Sequence, residues 1–235
     1  GIGFGAFYAL LCFSADFAPG WVIAATWQFT VVASLFIFML FGRKFPTRVW
    51  FFSSIIFFGV CLVNISDVNS FEIKSLILGA IPVLLASFCY PFGNQLLWEA
   101  KFGKNKFIPH ITSPLLANTF NKVMLLSLGS FPLWIILIAF IHPTLPSGSQ
   151  VFNTFLVALF SGIFATVIFL YARNLAKNSN ELAGVDATQA SEVVFALLGG
   201  MLFLHTGFPN PVALLGLCLI VGGLILFVLY QKKEL

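Results

Sequence analysis

Residues 186–203 read DATQASEVVFALLGGMLF, in which one carboxylate, that of Glu192, precedes eleven uncharged and almost wholly apolar residues. The whole chain has this character, because 60% of its 235 residues are apolar and only 9% are charged, against about 25% charged residues in a soluble domain. Several uncharged stretches approach the ~20 residues that span a bilayer, and they lack the alternation of membrane-barrel strands. The sequence predicts an all-α membrane protein.

Turn and charge signals divide the chain into eight predicted transmembrane helices. The breaks between them carry Pro, Gly or basic residues, as in APG at 18–20 and HTGFPNP at 205–211, which are the usual punctuation of loops. The predicted helices cover residues 1–17, 20–41, 49–66, 76–98, 113–141, 151–172, 184–204 and 210–230.

Basic residues concentrate after the even-numbered helices, whereas the odd-numbered loops contain only Lys74. Short cytoplasmic loops are enriched in Lys and Arg. The pattern therefore predicts that both ends of the chain are cytoplasmic. The basic residues concerned are Arg43, Lys44, Arg48, Lys101, Lys104, Lys106, Arg173, Lys177, Lys232 and Lys233.

Several function classes lack their usual sequence signals. The net charge of +4 is spread over short loops, with no basic stripe interleaved with aromatic residues, so nucleic acid is not an expected partner. The four cysteines lie within apolar runs, where they are expected to be small buried hydrophobic residues. No metal-binding spacing and no set of nucleophile and base is found. We expect no enzyme activity, no metal and no cofactor.

An internal repeat relates the two ends of the chain. ATWQFTVVASLF at 25–36 resembles ATQASEVVFALL at 187–198, and Gly1-Ile2 can be aligned with Gly162-Ile163. Downstream, Pro46 precedes Gly59 by the same 13 residues that separate Pro209 from Gly222. Helices one to three therefore correspond to helices six to eight.

The offset of five helices is an odd number, so the two copies are expected to have opposite orientations in the membrane. Inverted repeats are typical of secondary transporters, whose substrate sites lie near the repeat interface. Helices four and five have no partners in the first copy. We therefore expect a ten-helix protein that lacks its first two helices here, with a truncated first repeat at 1–66 and a second repeat at 67–235.

The chain resembles the drug/metabolite transporter superfamily (EamA-like). The likeness is closest in residues 185–227, VDATQASEVVFALLGGMLFLHTGFPNPVALLGLCLIVGGLILF, with a weaker copy from Trp21 to Asn64. Within the superfamily it is most similar to the multidrug resistance efflux transporter branch. The resemblance implies a ten-helix fold in two inverted halves and the transport of small organic molecules.

Glu192 is the leading candidate for the chemistry of transport. A carboxylate at the bilayer centre costs about 2.5–3.5 kcal/mol on insertion scales, so it should face a cavity or a partner. Thr188 and Gln189 precede it by four and three residues and share its helix face. Glu192 could bind a cationic substrate or carry a coupling proton, or it could be a structural carboxylate. Lys122 is its candidate ion-pair partner, or else a lysine that extends to the membrane surface.

Two further helices carry polar residues that are costly against lipid. In helix two, Thr30 occupies the position of Glu192 in the repeat, and Trp27 and Gln28 lie beside it; Trp27 could also face lipid. Helix four contains CYPFGNQLLW at 89–98, where Tyr90, Asn94 and Gln95 should point inward, either to substrate or to other helices.

Together these residues predict one central cavity in a secondary active transporter. The expected function is alternating-access export of small organic metabolites or drugs across the bacterial cytoplasmic (inner) membrane, coupled to protons at Glu192. A non-transporting scaffold or receptor and an integral membrane enzyme are the alternatives. The expected partners are a small-molecule substrate, membrane lipid and protons, with the protein a monomer or a homodimer. Glu99 and Asp186, at predicted helix ends, are expected to be solvated. The residues expected to line the cavity are Tyr8, Thr30, Tyr90, Asn94, Gln189 and Glu192.

Overall fold

In the described part of the chain, the structure, a computed structural model, contains helices joined by loops and no strand. It describes residues 1–42, 44–45, 47–67, 73–102, 107–177, 181–182, 184–185, 188, 191–203, 205 and 207–231.

Eight long helices are described, which confirms the predicted all-α class and helix count. Five of them, α2 to α6, are long and apolar enough to cross a membrane, and the apolar segments described for α1, α7 and α8 are shorter. The helices are α1 (Ile2–Ser14), α2 (Gly20–Leu40), α3 (Thr47–Asp67), α4 (Ile73–Phe102), α5 (Thr119–Ile141), α6 (Gly148–Leu175), α7 (Ser191–Phe203) and α8 (Pro211–Gln231).

Several helix boundaries differ from those predicted, and the ends of α4, α5 and α7 matter most for the site. Helix α4 continues to Phe102, past its predicted end at 98. Helix α5 begins at Thr119 because the side chain of Asn118 accepts hydrogen bonds from the first backbone N–H groups and caps it. Helix α7 is described from Ser191, whereas it was predicted from 184; residues 186, 187, 189 and 190 lie outside the described part.

Helices α3 and α8 pack antiparallel through glycines. A Cβ atom placed on Gly59 would lie 2.6 Å from the carbonyl oxygen of Gly216, and one on Gly216 would lie 2.9 Å from the side chain of Val63. Farther along, Gly223 meets Ile56 in the same way. As residue numbers rise along α3 they fall along α8, so the two helices run in opposite directions with their backbones in contact.

A second glycine crossing joins α1 to α4. A Cβ atom on Gly93 would lie 2.5 Å from the Cα atom of Gly3. This contact holds the start of α1 against the middle of α4, and it brings the aromatic residues Phe7 and Tyr90 to a ring-centroid distance of 4.9 Å. The crossing therefore builds one wall of the site described below.

Three of the central helices are irregular. Residues Ile2–Ala6 of α1 and Ala158–Ala165 of α6 form π-helical turns. This conformation is rare in proteins, and where it occurs it is often found at functional sites. The α-helical pattern of α2 is interrupted at Gln28, between Trp27 and Phe29. All three irregularities occur in helices that line the cavity.

Buried hydrogen bonds tie α2 to its neighbours. The amide of Asn64 on α3 donates to the hydroxyl of Thr26 at 2.7 Å, and the hydroxyl of Thr30 donates to the carbonyl oxygen of Ser87 on α4 at 3.4 Å. Helix α2 is the most deeply packed of the five spanning helices, whereas α5 and α6 expose apolar side chains along most of their length. Such surfaces suit contact with lipid tails.

The α3–α8 crossing can be tested with alanine substitutions. We predict that Gly216→Ala lowers the free energy of unfolding by about 1–3 kcal/mol, the usual cost of overpacking, because its Cβ would lie 2.7 Å from the carbonyl oxygen of Gly59. Gly222→Ala is the matched control on the same helix, since a Cβ there meets nothing within 4 Å. Unfolding by SDS titration in mixed micelles measures both variants. Equal stabilities for the two variants would contradict this packing.

Candidate substrate cavity

A cavity of about 640 Å³ lies between helices α1, α2, α4, α6 and α7. Its size falls within the range of about 300–1,000 Å³ that is usual for small-molecule sites. It faces the first third of α2, so it lies in the half of the bundle away from the basic end, which we define by Lys44, Arg48, Lys101 and Arg173. The lining residues that carry the argument are Phe7, Tyr8, Trp27, Tyr90, Phe169 and Glu192.

Aromatic rings form the wall of this cavity. Phe7 lies at the centre of the group, with ring-centroid distances of 4.6 Å to Tyr8, 4.7 Å to Trp27 and 4.9 Å to Tyr90. Trp27 and Tyr90 meet edge to face at 5.6 Å. The lipid-facing alternative for Trp27 is therefore wrong, because its side chain is 5% exposed and lines the cavity. Clustered aromatic faces attract organic cations.

Glu192 provides a carboxylate to this aromatic cavity. It lies in the first turn of α7, as described from Ser191, and its side chain lines the cavity with Ala196 and Gly200 one and two turns farther on. Tyr8 lines the same cavity. A carboxylate beside aromatic faces favours a cationic group in the cavity.

The π-helical turn of α6 shapes the opposite wall. The hydroxyl of Thr166 donates a hydrogen bond to the carbonyl oxygen of Ser161, five residues earlier, at 3.0 Å. Both residues line the cavity, as does Ala165 between them. The small side chains here leave the space in which a ligand can lie against the aromatic wall.

Only part of the predicted residue set surrounds the main cavity. Tyr8, Tyr90 and Glu192 line it. Thr30 and Asn94 instead line a narrower gap on the basic side of Tyr90 and Phe169. The predicted sixth member, Gln189, lies outside the described residues.

Three other candidate residues point away from the cavity. The side chain of Gln28 is fully buried and donates to the carbonyl oxygen of Ala24 in its own helix at 3.1 Å. Gln95 is buried and donates to Glu99 at 3.0 Å. Thr188 donates to the carbonyl oxygen of Val185 at 2.7 Å. In this conformation their hydrogen bonds stabilise helices.

Lys122 is not paired with Glu192, in contrast to the ion pair that was considered. Its ammonium group donates a hydrogen bond to the side-chain oxygen of Asn174 on α6, and its side chain is only 3% exposed. The alternative of a lysine that reaches the membrane surface is also wrong. Lys122 is a buried link between α5 and α6 at the basic end.

Two buried charges escaped the sequence analysis. Glu99 was expected to be solvated, but α4 continues past it to Phe102, and the side chain is 3% exposed. Arg173 was counted among the loop residues, yet it is also 3% exposed. Its burial could have been predicted from the sequence, because the apolar residues Leu175 and Ala176 follow Arg173 and indicate that the helix continues. Phe7 and Phe169 were missed because they are two among thirty Phe residues.

The buried lysine can be tested with a double-mutant cycle. We predict that Asn174→Leu lowers the free energy of unfolding by about 1.5–3 kcal/mol, the range for hydrogen bonds to charged groups, because the Lys122 ammonium loses its acceptor. In the Lys122→Met background the same substitution should cost far less, because no ammonium group remains. SDS-titration unfolding of the four proteins gives the coupling energy. A coupling near zero would contradict the link.

Comparison with known proteins assigns the chain to a family. The chain matches over residues 1–233 the EmrE family, described as "Putative multidrug resistance efflux transporter". It is 36% identical to "Uncharacterized protein YjlA" of Bacillus subtilis (strain 168), over 96% of this chain and 71% of that protein.

A second relative is the "Uncharacterized 42.1 kDa protein in intracellular alkaline protease 3'region" of Shouchella clausii. It is 33% identical, over 81% of this chain and 50% of its own length. No solved structure matches the chain. The family match confirms the resemblance to the multidrug efflux branch of the drug/metabolite transporters. The chain therefore belongs to the EmrE family of multidrug resistance efflux transporters and is a multi-pass membrane protein.

Proposed function

We propose that the protein is a secondary active transporter that exports small organic molecules bearing a cationic group, in exchange for protons, across the bacterial cytoplasmic membrane. The observation that carries the proposal is the aromatic cavity with one carboxylate among its lining residues, that of Glu192. The family is a transporter family, which favours transport over the scaffold and enzyme alternatives. The basic end faces the cytoplasm in this proposal.

An inverted repeat supports alternating access as the mechanism. The sequence alignment places Gly1–Ala6 on residues 162–167, and π-helical turns occur in or beside both segments. The same repeat aligns Phe29 with Ser191, where the second part of α2 and the described part of α7 begin. Helices α3 and α8, which correspond in the repeat, cross antiparallel. Transporters with inverted repeats work by rocking one half against the other around a central site.

The polar contacts at the basic end support an outward-open conformation. The cavity lies in the half of the bundle away from the basic residues, while at the basic end the Lys122–Asn174 hydrogen bond joins α5 to α6. Opening toward the cytoplasm would separate these two helices. In the proposed cycle this link is part of the closed gate of one transport state.

Proton coupling follows from competition at one carboxylate. Glu192 can pair with a cation or carry a proton, but one carboxylate does not do both. A cation that arrives from the cytoplasm would displace the proton, and a proton from outside would displace the cation. Each transport cycle would then exchange the two species, and the pH gradient would drive export.

Glutamine substitution tests this role. We predict that Glu192→Gln, which keeps the shape but loses the charge, reduces pH-driven flux of an aromatic cation such as ethidium about tenfold or more, equivalent to ~1.4 kcal/mol of lost interaction. Flux is measured in proteoliposomes with and without an imposed pH gradient. Asp16→Asn is the control, because Asp16 is an exposed carboxylate outside the cavity. If Glu192→Gln keeps both its rate and its pH dependence, the glutamate is structural and this mechanism is wrong.

A further inference from the structure

A second polar space lies on the basic side of the main cavity. Tyr90 and Phe169 line both spaces and separate them. Beyond these two rings the gap is lined by Thr30, Asn94 and Arg173, from helices α2, α4 and α6. The main cavity has a carboxylate in its wall, whereas this gap has a guanidinium group. The two spaces therefore differ in charge along one path through the bundle.

The cation in the gap is deeply buried. Arg173 is 3% exposed, and its guanidinium group lies 5.8 Å from the ring centre of Phe169. A second cation, Lys122, is equally buried and is bonded to the neighbouring residue, Asn174. Placing two cations together away from water is costly for stability. Buried charges within membrane segments are the usual marks of a substrate or ion pathway.

Asn94 provides an independent observation that points to a ligand. Its side chain is 3% exposed and lines the gap, yet its amide nitrogen has no hydrogen-bond acceptor in the described part of the chain. A buried donor without an acceptor destabilises a structure. A ligand oxygen in the gap would remove that cost, so the amide is suited to an acceptor that arrives with the substrate.

Arg173 and Asn94 can both bind the same kind of ligand group, a hydrogen-bond acceptor. The guanidinium group of Arg173 and the amide nitrogen of Asn94 are both hydrogen-bond donors, and the first is a cation. Planar oxyanions match this pair best, because guanidinium groups bind them through paired hydrogen bonds. An acidic group would accept hydrogen bonds from both side chains.

We propose that Arg173 and Asn94 form a subsite for an acidic group, a carboxylate or a phosphonate, of the transported molecule. This inference rests on the proposed function and specifies its substrate class: an amphoteric molecule whose cationic group meets Glu192 and whose acidic group meets Arg173. The aromatic rings between the two poles accommodate an apolar body. The gap is too small for a water molecule in this conformation, and it receives the acidic group when α2, α4 and α6 separate at the basic end.

Matched ligands test the subsite directly. The probes are 4-(aminomethyl)benzoate, its phosphonate analogue and 4-(aminomethyl)benzamide, which share the amine and the ring and differ in the charge of the far group. Calorimetric titration of the purified chain in lipid nanodiscs measures each dissociation constant. We expect the two acids to bind on the order of tenfold to a hundredfold more tightly than the amide, which is the range for charge-assisted hydrogen bonds.

Variants identify the residues that give this preference. Arg173→Gln and Asn94→Asp should reduce the ratio of acid to amide affinity to about one, whereas Arg173→Lys should keep part of it because the charge remains. Arg48→Gln is the matched control, since Arg48 is an exposed arginine at the same end of the bundle. Its ratio should equal that of the parent chain. Asn94→Asp tests the subsite without removing the buried arginine, in case Arg173→Gln does not fold.

Three outcomes would overturn the subsite: equal binding of acid and amide by the parent chain, no binding of either acid, or a preference unchanged in both Arg173→Gln and Asn94→Asp. The proposed function is tested separately by proteoliposome flux. If ethidium moves with the pH gradient while the acids show no preference, the subsite is wrong and the exporter remains. If no cation moves in response to the gradient, the proposed exporter itself is wrong.

Discussion

Lipid tails offer no hydrogen-bond partner to a polar side chain, and this constraint governs where the protein places its few polar groups. Glu192 lies in a cavity, Glu99 and Lys122 are bonded inside the bundle, and Arg173 lines a buried gap. Apolar residues cover the outer faces of α5 and α6. Because each buried charge raises the free-energy cost of folding, the buried Glu99, Lys122 and Arg173, together with the cavity-lining Glu192, are the best guide to how the molecule works.

Close helix packing gives these charges their geometry. Gly3 and Gly93 hold α1 against α4 and so assemble the aromatic wall around Phe7. Gly59 and Gly216 bring the backbones of α3 and α8 together on the other side of α2. Small residues permit such approach in membranes, where no hydrophobic force drives helices together. The cavity lies beside the α1–α4 crossing, and α2, α6 and α7 contribute its other lining residues.

The amino-acid sequence predicts the helices well because the signals for them are local. Apolar length, Pro and Gly breaks and the distribution of basic residues indicate eight helices, and Glu192 and Tyr90 were identified as cavity candidates. The packing of distant helices has no comparable local signal. Glu99 was predicted to be solvated and Arg173 was assigned to a loop, although both are buried. For Lys122 the predicted ion-pair partner was Glu192, whereas the structure shows a hydrogen bond to Asn174. The first two errors come from misplaced helix ends, since α4 continues to Phe102 and α6 to Leu175, and the third comes from a contact between helices that composition and spacing do not encode.

Alternating access is the central claim, and side-specific labelling tests it most directly. The four native cysteines are replaced, and a single cysteine is introduced at Ala165, which lines the cavity. A membrane-impermeant maleimide is then applied to right-side-out and to inside-out vesicles. The account predicts labelling from the outer side at rest, and labelling from the cytoplasmic side once a transported cation is supplied. Labelling from one side alone under every condition would contradict alternating access around this cavity.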